Sequence, residues 1–340
     1  MKRHKICKII FAILAVFLCV AFYELIGICV TYKKQPAVSD ATIKETQNIM
    51  SVAGRENTER AVIIEKNSQA LLERVRLIQN AKDEIILSTF AFKSDESGKL
   101  ILGALHDAAD RGVHVRILVD GMESWIDMEG NPYFYGLSSH ENVEIKLYNK
   151  ANPLKPWKTM GRMHDKYLIA DGKIYILGGR NTYNYFLGDF PGHKNFDRDV
   201  LVVCDEPQKD NSVNQLWNYF ETIWEQEDCR YFHNSKKLAD RQSVKKAVLE
   251  LQEGYQQYFE VNKEKICDTD YADETFETEK ITLLSNPIHT QAKEPVVWYQ
   301  LGELMKNAKE RVKIHTPYII CNDMMYNTCL LYTSDAADEA

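Results

Sequence analysis

No two of the eight cysteines stand in a C-x-x-C pair, so the sequence offers neither a zinc-binding pattern nor a dithiol redox motif. Cys7, Cys19 and Cys29 lie in or beside an apolar run, while Cys204, Cys229, Cys267, Cys321 and Cys329 are scattered, and no disulfide is implied. A basic excess is missing too. The 42 Lys and Arg are outnumbered by 49 Asp and Glu, giving a net charge of −7 and a pI near 5.8, which argues against a protein built around a nucleic-acid backbone. No small-x-small cleavage site follows the N-terminal apolar run, and no small residue directly precedes Cys29, so neither signal-peptide removal nor lipid attachment is favoured. With 45% apolar and 27% charged residues the chain is not disordered, and 340 residues suffice for one large or two medium domains.

The apolar run itself covers residues 9–32, interrupted only by Glu24, and has the length of a bilayer-spanning helix. Lys2, Arg3, Lys5 and Lys8 precede it and Lys33 and Lys34 follow, so the charge balance favours a cytoplasmic N-terminus with the remaining chain on the far side. Residues 35–60 are polar and read as a tether with one helix.

Beyond the tether the pattern alternates. "SQALLERVRLIQNAK" spaces Leu71, Leu72, Val75, Leu77 and Ile78 as a helix does, "DEIILSTFAF" is strand-like, "GKLILGALHDAADRG" is an amphipathic helix, and "VHVRILVDG" and "VEIKLYN" are strands. This alternation predicts an α/β domain. A weak repeat pairs "LLERVRLIQNAKDEIILSTFAF" with "WYQLGELMKNAKERVKIHTPYI": Asn-Ala-Lys recurs at 80–82 and 307–309, and Thr89 recurs as Thr316, at an offset of 227 residues. Two half-domains of one design follow from it. Between them lie helical stretches and the acidic run 268–279, which reads as a solvated linker.

The chemistry concentrates in "GRMHDKYLIADGKIYILGGRN". Residues 163–170 read as a strand, with Asp171-Gly172 turning into a second strand. On a strand His164 and Lys166 share a face, which pairs a nucleophilic imidazole with a cation able to hold negative oxygens. Gly178 and Gly179 would admit a ligand close to the backbone, and the Asn181 carboxamide could donate to the same phosphate. Asp171 is placed to hold the hairpin or a neighbouring cation. Residues 151–200 carry eight Lys and Arg against five Asp and Glu, a local positive balance that suits a phosphate-bearing substrate. A His-Lys pair alone is common and mostly inert. Its combination with Gly-Gly-x-Asn is what makes the stretch specific.

At these residues the chain resembles the phospholipase D superfamily, marked by H-x-K-x(4)-D and G-G/S-x-N, and is most similar to its cardiolipin synthase branch. The resemblance also takes in "FKSDESGKLILGALHDAADRGVHVRILVD" and "HTPYI". It implies a phospholipase D-like α/β fold of two similar half-domains, each a mixed sheet flanked by helices, the second incomplete, after one transmembrane helix. The layout expected is an anchor over 1–34, a tether over 35–60, a first half-domain with the motif over 61–205, inter-half helices and an acidic linker over 206–280, and the start of a second half-domain over 281–328. The run "CLLYTSDAADE" at 329–339 reads as a translated transposase sequencing adapter, so 329–340 is expected to be foreign and the natural chain to continue past Thr328.

The resemblance further implies a two-step phosphatidyl transfer without metal or cofactor. In it His164, Lys166 and Asp171 form the catalytic motif; Lys166, Asn181, Gly178 and Gly179 bind phosphate; and Asp197, with Asp199 in reserve, orients a histidine. A second histidine from the partner half would serve as acid and base. By the repeat offset the second motif falls near residue 391, so this chain alone is expected to be inactive unless it pairs through its single motif. The implied partners are a membrane and a phospholipid, phosphatidylglycerol, with no nucleic acid. The favoured activity is cardiolipin synthesis from two phosphatidylglycerols, with hydrolysis, nuclease activity and an inactive lipid-binding role as competitors. Trp157, Tyr167, Tyr175, Tyr183, Tyr185 and Phe186 are read mostly as core, some as an acyl groove.

Overall fold

The computed structural model describes residues 2–51, 59–207, 210–314 and 326. It opens on α1 (Lys2–Tyr32), whose stretch Lys5–Tyr32 contains an 18-residue window of mean hydropathy 2.7 and is long and apolar enough to cross a membrane. After α2 (Asp40–Ser51) comes an α/β unit. Its first part runs β1 (Glu59–Ile64), α3 (Asn67–Asn80), β2 (Glu84–Thr89), α4 (Glu96–Asp110), β3 (His114–Asp120), α5 (Glu123–Asp127), α6 (Pro132–Ser138) and β4 (Val143–Tyr148). The second part runs β5 (Tyr167–Ala170), β6 (Ile174–Gly178), β7 (Asp199–Cys204), α7 (Ser212–Trp224), β8 (Cys229–Tyr231), α8 (Lys236–Ala239), α9 (Gln242–Cys267), β9 (Phe276–Glu277) and α10 (Val296–Lys306).

The strands form a nine-stranded mixed sheet in the order β8-β4-β3-β2-β5-β6-β7-β1-β9. β2, β3 and β4 are parallel, joined by helical crossovers, and the antiparallel run β5, β6, β7 and β1 continues the sheet. The central strands are near-continuous apolar runs because helices cover both faces. Ile85 and Leu87 enter the core beneath α3, α4, α6 and α9, while Ile86 enters the opposite core with Leu216, Phe220 and Ile223 of α7. Local signals start the helices: the Asp95 carboxylate accepts from Gly98 N–H at 3.1 Å ahead of α4, and Asn131 accepts from Tyr133 N–H at 3.1 Å ahead of α6, where Pro132 takes the first position.

Three expectations need correction. The strand expected over 163–170 begins only at Tyr167, because its neighbour β2 pairs no further than Ser88 opposite Tyr167; residues 161–166 cross the sheet edge as irregular chain. The segment expected between two halves is built onto the first sheet: α7 covers one face, α9 the other, and β8 pairs with β4. The acidic run is no mere solvated linker. Arg76, buried beneath it, donates to the Asp268 carbonyl at 2.6 Å and to Glu274 at 2.9 Å and lies 4.0 Å from the centre of the Tyr271 ring. Of the second copy of the repeat, α10 forms the helix and residues 311–314 are irregular; Thr316 with the rest of "HTPYI", and the stretch 329–340, lie outside the described residues. No disulfide joins the described cysteines.

A buried ion cluster ties the sheet to α3. Asp199, at the start of β7, has no solvent exposure in its side chain and lies 2.9 Å from the Arg74 guanidinium and 3.3 Å from that of Arg180. Arg180 also donates to the carbonyls of Ile64 at 3.2 Å and Glu65 at 2.7 Å, to the Asn67 side chain at 3.2 Å and to the Asp197 carbonyl. Removing one member of such a cluster strands buried charge. Asp199→Ala is expected to cost about 3–5 kcal/mol in urea unfolding; a loss below about 1 kcal/mol would mean that the two guanidiniums find other partners.

Candidate functional site

Strand direction places one set of residues at a single sheet edge. β2 and β3 end there at Thr89 and Asp120, β6 ends there at Gly178, β5 starts there after Lys166, and β7 starts there at Asp199. The structure thereby brings together His164, Lys166, Gly178, Gly179, Asn181, Asp197 and Asp199. Asp171 is not among them. It occupies the opposite end of the β5–β6 hairpin, where φ of 53° at Asp171 and 60° at Gly172 make the turn, and its carboxylate accepts from the backbone N–H groups of Lys82, Asp83 and Glu84 at 2.8–3.2 Å. It therefore fastens the α3–β2 loop to the hairpin; of the two partners expected for it, the hairpin and a cation, the structure shows the hairpin.

His164 is exposed and Lys166 is buried, although they are only two residues apart. The irregular chain accounts for this: the Lys166 ammonium folds back to donate to the His164 carbonyl at 2.6 Å. Both side chains gather around Phe90, which directly follows β2. The His164 ring meets it edge-on at 4.7 Å between centroids, and the Lys166 ammonium stands 5.3 Å from its centre. Burial, with help from the Lys166 charge, pushes the His164 imidazole below its ordinary value, against a smaller pull from Asp120. The neutral form, able to act as a nucleophile, is thus favoured. Burial likewise lowers the Lys166 ammonium to about 8, opposed by Asp165 and Asp197.

The two glycines make room for close packing, and Gly178 also lines a cavity beside His164. A Cβ at Gly178 would overlap Asp199, and one at Gly179 would overlap the Asp197 carboxylate, so both admit the incoming β7 strand. Asn181 is buried, and its carboxamide oxygen accepts from Ala91 N–H at 3.2 Å, which aligns the Gly-Gly-Arg-Asn loop beside residues 90–93. Asp199 cannot serve as a reserve for orienting a histidine, since Arg74 and Arg180 enclose its carboxylate. Asp197 accepts from the Arg198 N–H at 2.8 Å, and the Arg198 guanidinium reaches Glu65 at 2.9 Å. Of the aromatic residues, Tyr167, Tyr175 and Phe186 are core, Tyr183 and Tyr185 pack partly against it, and Trp157 is exposed.

Several participants escaped the sequence reading. Asp120 is fully buried and accepts from the Arg162 guanidinium at 2.9 Å and from Met163 N–H at 3.1 Å, so it fixes the chain leading into His164. Its signal was available: a lone carboxylate ends the apolar run of β3. Asp165 accepts from the Tyr219 hydroxyl at 2.8 Å, and burial raises its carboxyl. A cavity of about 380 Å³ opens here, lined by Arg162, His164, Lys166 and Tyr219 and, from the segment before α10, by Leu283 and Lys293. Lys293 lies 127 residues beyond Lys166 and had no sequence signal. Among the described residues no group of three His, Cys, Asp or Glu side chains is placed to hold a metal ion.

The depressed Lys166 has a thermodynamic consequence. Between pH 8 and its unfolded value near 10.5 the unfolded chain binds the proton that the folded chain has lost, so this residue makes stability rise with pH across that window. Below it the residue is a standing penalty. Lys166→Met is therefore expected to raise unfolding stability at pH 7 by about 1–3 kcal/mol; equal or lower stability would show that the ammonium is not held under strain.

Residues 75–224 match the family described as cardiolipin synthase, PLD-like domain. The chain is 27% identical to an uncharacterized protein of Helicobacter pylori (strain ATCC 700392 / 26695) over 78% of this chain and 55% of that one. It is 29% identical to cardiolipin synthase C of Escherichia coli (strain K12) over 41% of this chain and 31% of that one. It therefore spans about half or less of the length of these relatives. Among solved structures, phosphatidylserine synthase of Haemophilus influenzae Rd KW20 aligns at 15% identity with a TM-score of 0.44, over 65% of this chain and 48% of that one.

Proposed function

We propose that this chain is a membrane-anchored phosphatidyltransferase of the phospholipase D superfamily that makes cardiolipin from phosphatidylglycerol, a reading supported by the family match over residues 75–224. The observation that carries the reading is the exposed imidazole of His164 set beside the buried ammonium of Lys166 over Phe90. In this mechanism a His164 ring nitrogen attacks the phosphorus of a phosphatidylglycerol. The bond from phosphorus to the glycerol headgroup breaks, and the departing oxygen takes a proton. A phosphatidyl-histidine remains. Lys166, with the amide nitrogen of Asn181, stabilises the charge that develops on the phosphoryl oxygens. A hydroxyl of a second phosphatidylglycerol then attacks the same phosphorus, gives up its proton, and releases His164.

Proton transfer needs a second group. His164 is the single imidazole among the described residues lining the cavity, so we assign that role to a second His-x-Lys motif presented opposite it. Asp171, remote from this edge, contributes through the hairpin alone. α1 supplies the anchor, with its N-terminus in the cytoplasm and the α/β unit on the far side, as the flanking lysines favour.

Lipid extracts of cells expressing the protein test the reading. New cardiolipin that disappears with His164→Ala is the expected result. Phosphatidic acid without cardiolipin would point to hydrolysis, cleaved DNA to a nuclease, and unchanged products with either sequence to an inactive lipid binder. In purified form the rate is expected to climb from acid pH as His164 deprotonates below 6.5 and to fall as Lys166 loses its proton near about 8. Lys166→Met is expected to lower kcat on the order of 10²–10³-fold, the loss typical of one charge-stabilising donor; a flat pH profile or an unaffected kcat would exclude these roles.

A further inference from the structure

Large apolar side chains stand exposed on the two loops that follow β3 and β4: Trp125 and Ile126 on the first, Leu154, Trp157 and Met160 on the second, with exposures of 41–76%. The loops touch each other. A Cβ at Gly121 would collide with the Lys150 backbone, and the Lys150 ammonium lies 4.0 Å from Glu129. They leave the sheet at the same edge as His164. The second loop also packs on α1: a Cβ at Gly27 would run into the Pro156 ring, and the Tyr23 hydroxyl donates to the Leu154 carbonyl at 3.2 Å.

These contacts set a depth. The helical stretch Lys5–Tyr32 has 28 residues and so measures about 42 Å, its apolar run 9–32 about 36 Å, against a hydrocarbon core of about 30 Å. Gly27 and Tyr23 lie about 8 and 14 Å below Tyr32 along the helix axis. The loop that touches them therefore sits at the level where hydrocarbon gives way to headgroups. Its backbone suits that level, because it is largely satisfied from within: Leu154 N–H donates to the Asn152 side chain at 2.9 Å, Lys155 N–H to the Asn152 carbonyl at 2.9 Å, Lys158 N–H to Lys155 at 2.9 Å and Gly161 N–H to Lys158 at 3.0 Å. Exposed Lys150 and Lys155 stand beside the apolar tips, the pattern of an interfacial segment on an anionic leaflet.

We propose that Trp125, Ile126, Leu154, Trp157 and Met160 form a docking face that enters the headgroup region of an anionic bilayer, holding the His164 edge against the membrane so that phospholipid reaches it from the bilayer itself. The inference rests on α1 being the anchor and is independent of the chemistry at His164. The test is tryptophan fluorescence of the full chain in vesicles of phosphatidylglycerol and phosphatidylcholine brominated on its acyl chains. Strong quenching is expected, most of it lost in the double variant Trp125→Phe, Trp157→Phe. Leu154→Asp with Ile126→Asp is expected to relieve the quenching of the native tryptophans while the chain still floats with the vesicles. Quenching that is absent in co-floating protein, or unchanged in both variants, overturns the docking face; so does failure to float, which removes the anchor. Self-association that disappears in the aspartate variant, without quenching, would instead make the patch a contact between copies of the chain.

Discussion

Asp199 lies wholly buried between Arg74 and Arg180, and each of the three belongs to a different part of the fold: the first strand position of β7, the face of α3, and the Gly-Gly-Arg-Asn loop. Two guanidiniums and one carboxylate removed from water are stable together only if their remaining donors are met. Arg180 meets that condition by reaching four further oxygens on the chain between Ile64 and Asp197. The loop cannot shift without leaving those bonds open. The positions of Gly178, Gly179 and Asn181 follow from this constraint, and so does the approach of Asp197 to the Lys166 ammonium.

On the other side of the same edge Asp120 plays the corresponding part for the motif segment. Its carboxylate holds Arg162 and the Met163 amide, and within three residues the chain has turned Lys166 inward and left His164 outward. An imidazole kept neutral and a cation kept short of water are both useful for attack on a phosphodiester, where charge builds on oxygens outside the sheet edge. The acidic net charge of the chain does not oppose this. The positive potential that matters is local, and the lining of the cavity joins Arg162, Lys166 and Lys293.

Much of this was legible in the sequence for identifiable reasons. Doubly buried strands such as β2 and β3 show as unbroken apolar runs, and Asp171-Gly172 shows as a turn because both positions need positive φ. The motif residues His164, Lys166 and Asn181 lie close in sequence and converge because an antiparallel hairpin returns the chain to its starting edge. What was not legible depends on distant partners. That Gly178 and Gly179 also make room for the chain entering β7 depends on Asp197 and Asp199; Asp199 looked like a spare carboxylate and is enclosed by an arginine 125 residues earlier. The strand break before Tyr167 depends on where β2 stops, and the clamp of the acidic run on Arg76 depends on a helix about 190 residues upstream.

The central claim is that His164 becomes covalently bonded to the phosphatidyl group. Mass spectrometry of the protein, quenched rapidly after mixing with phosphatidylglycerol vesicles and digested under conditions that preserve phosphohistidine, addresses it directly. The account predicts a phosphatidyl adduct on the peptide containing His164, and its absence from His164→Ala. Turnover without any adduct, or an adduct on another residue, would contradict it.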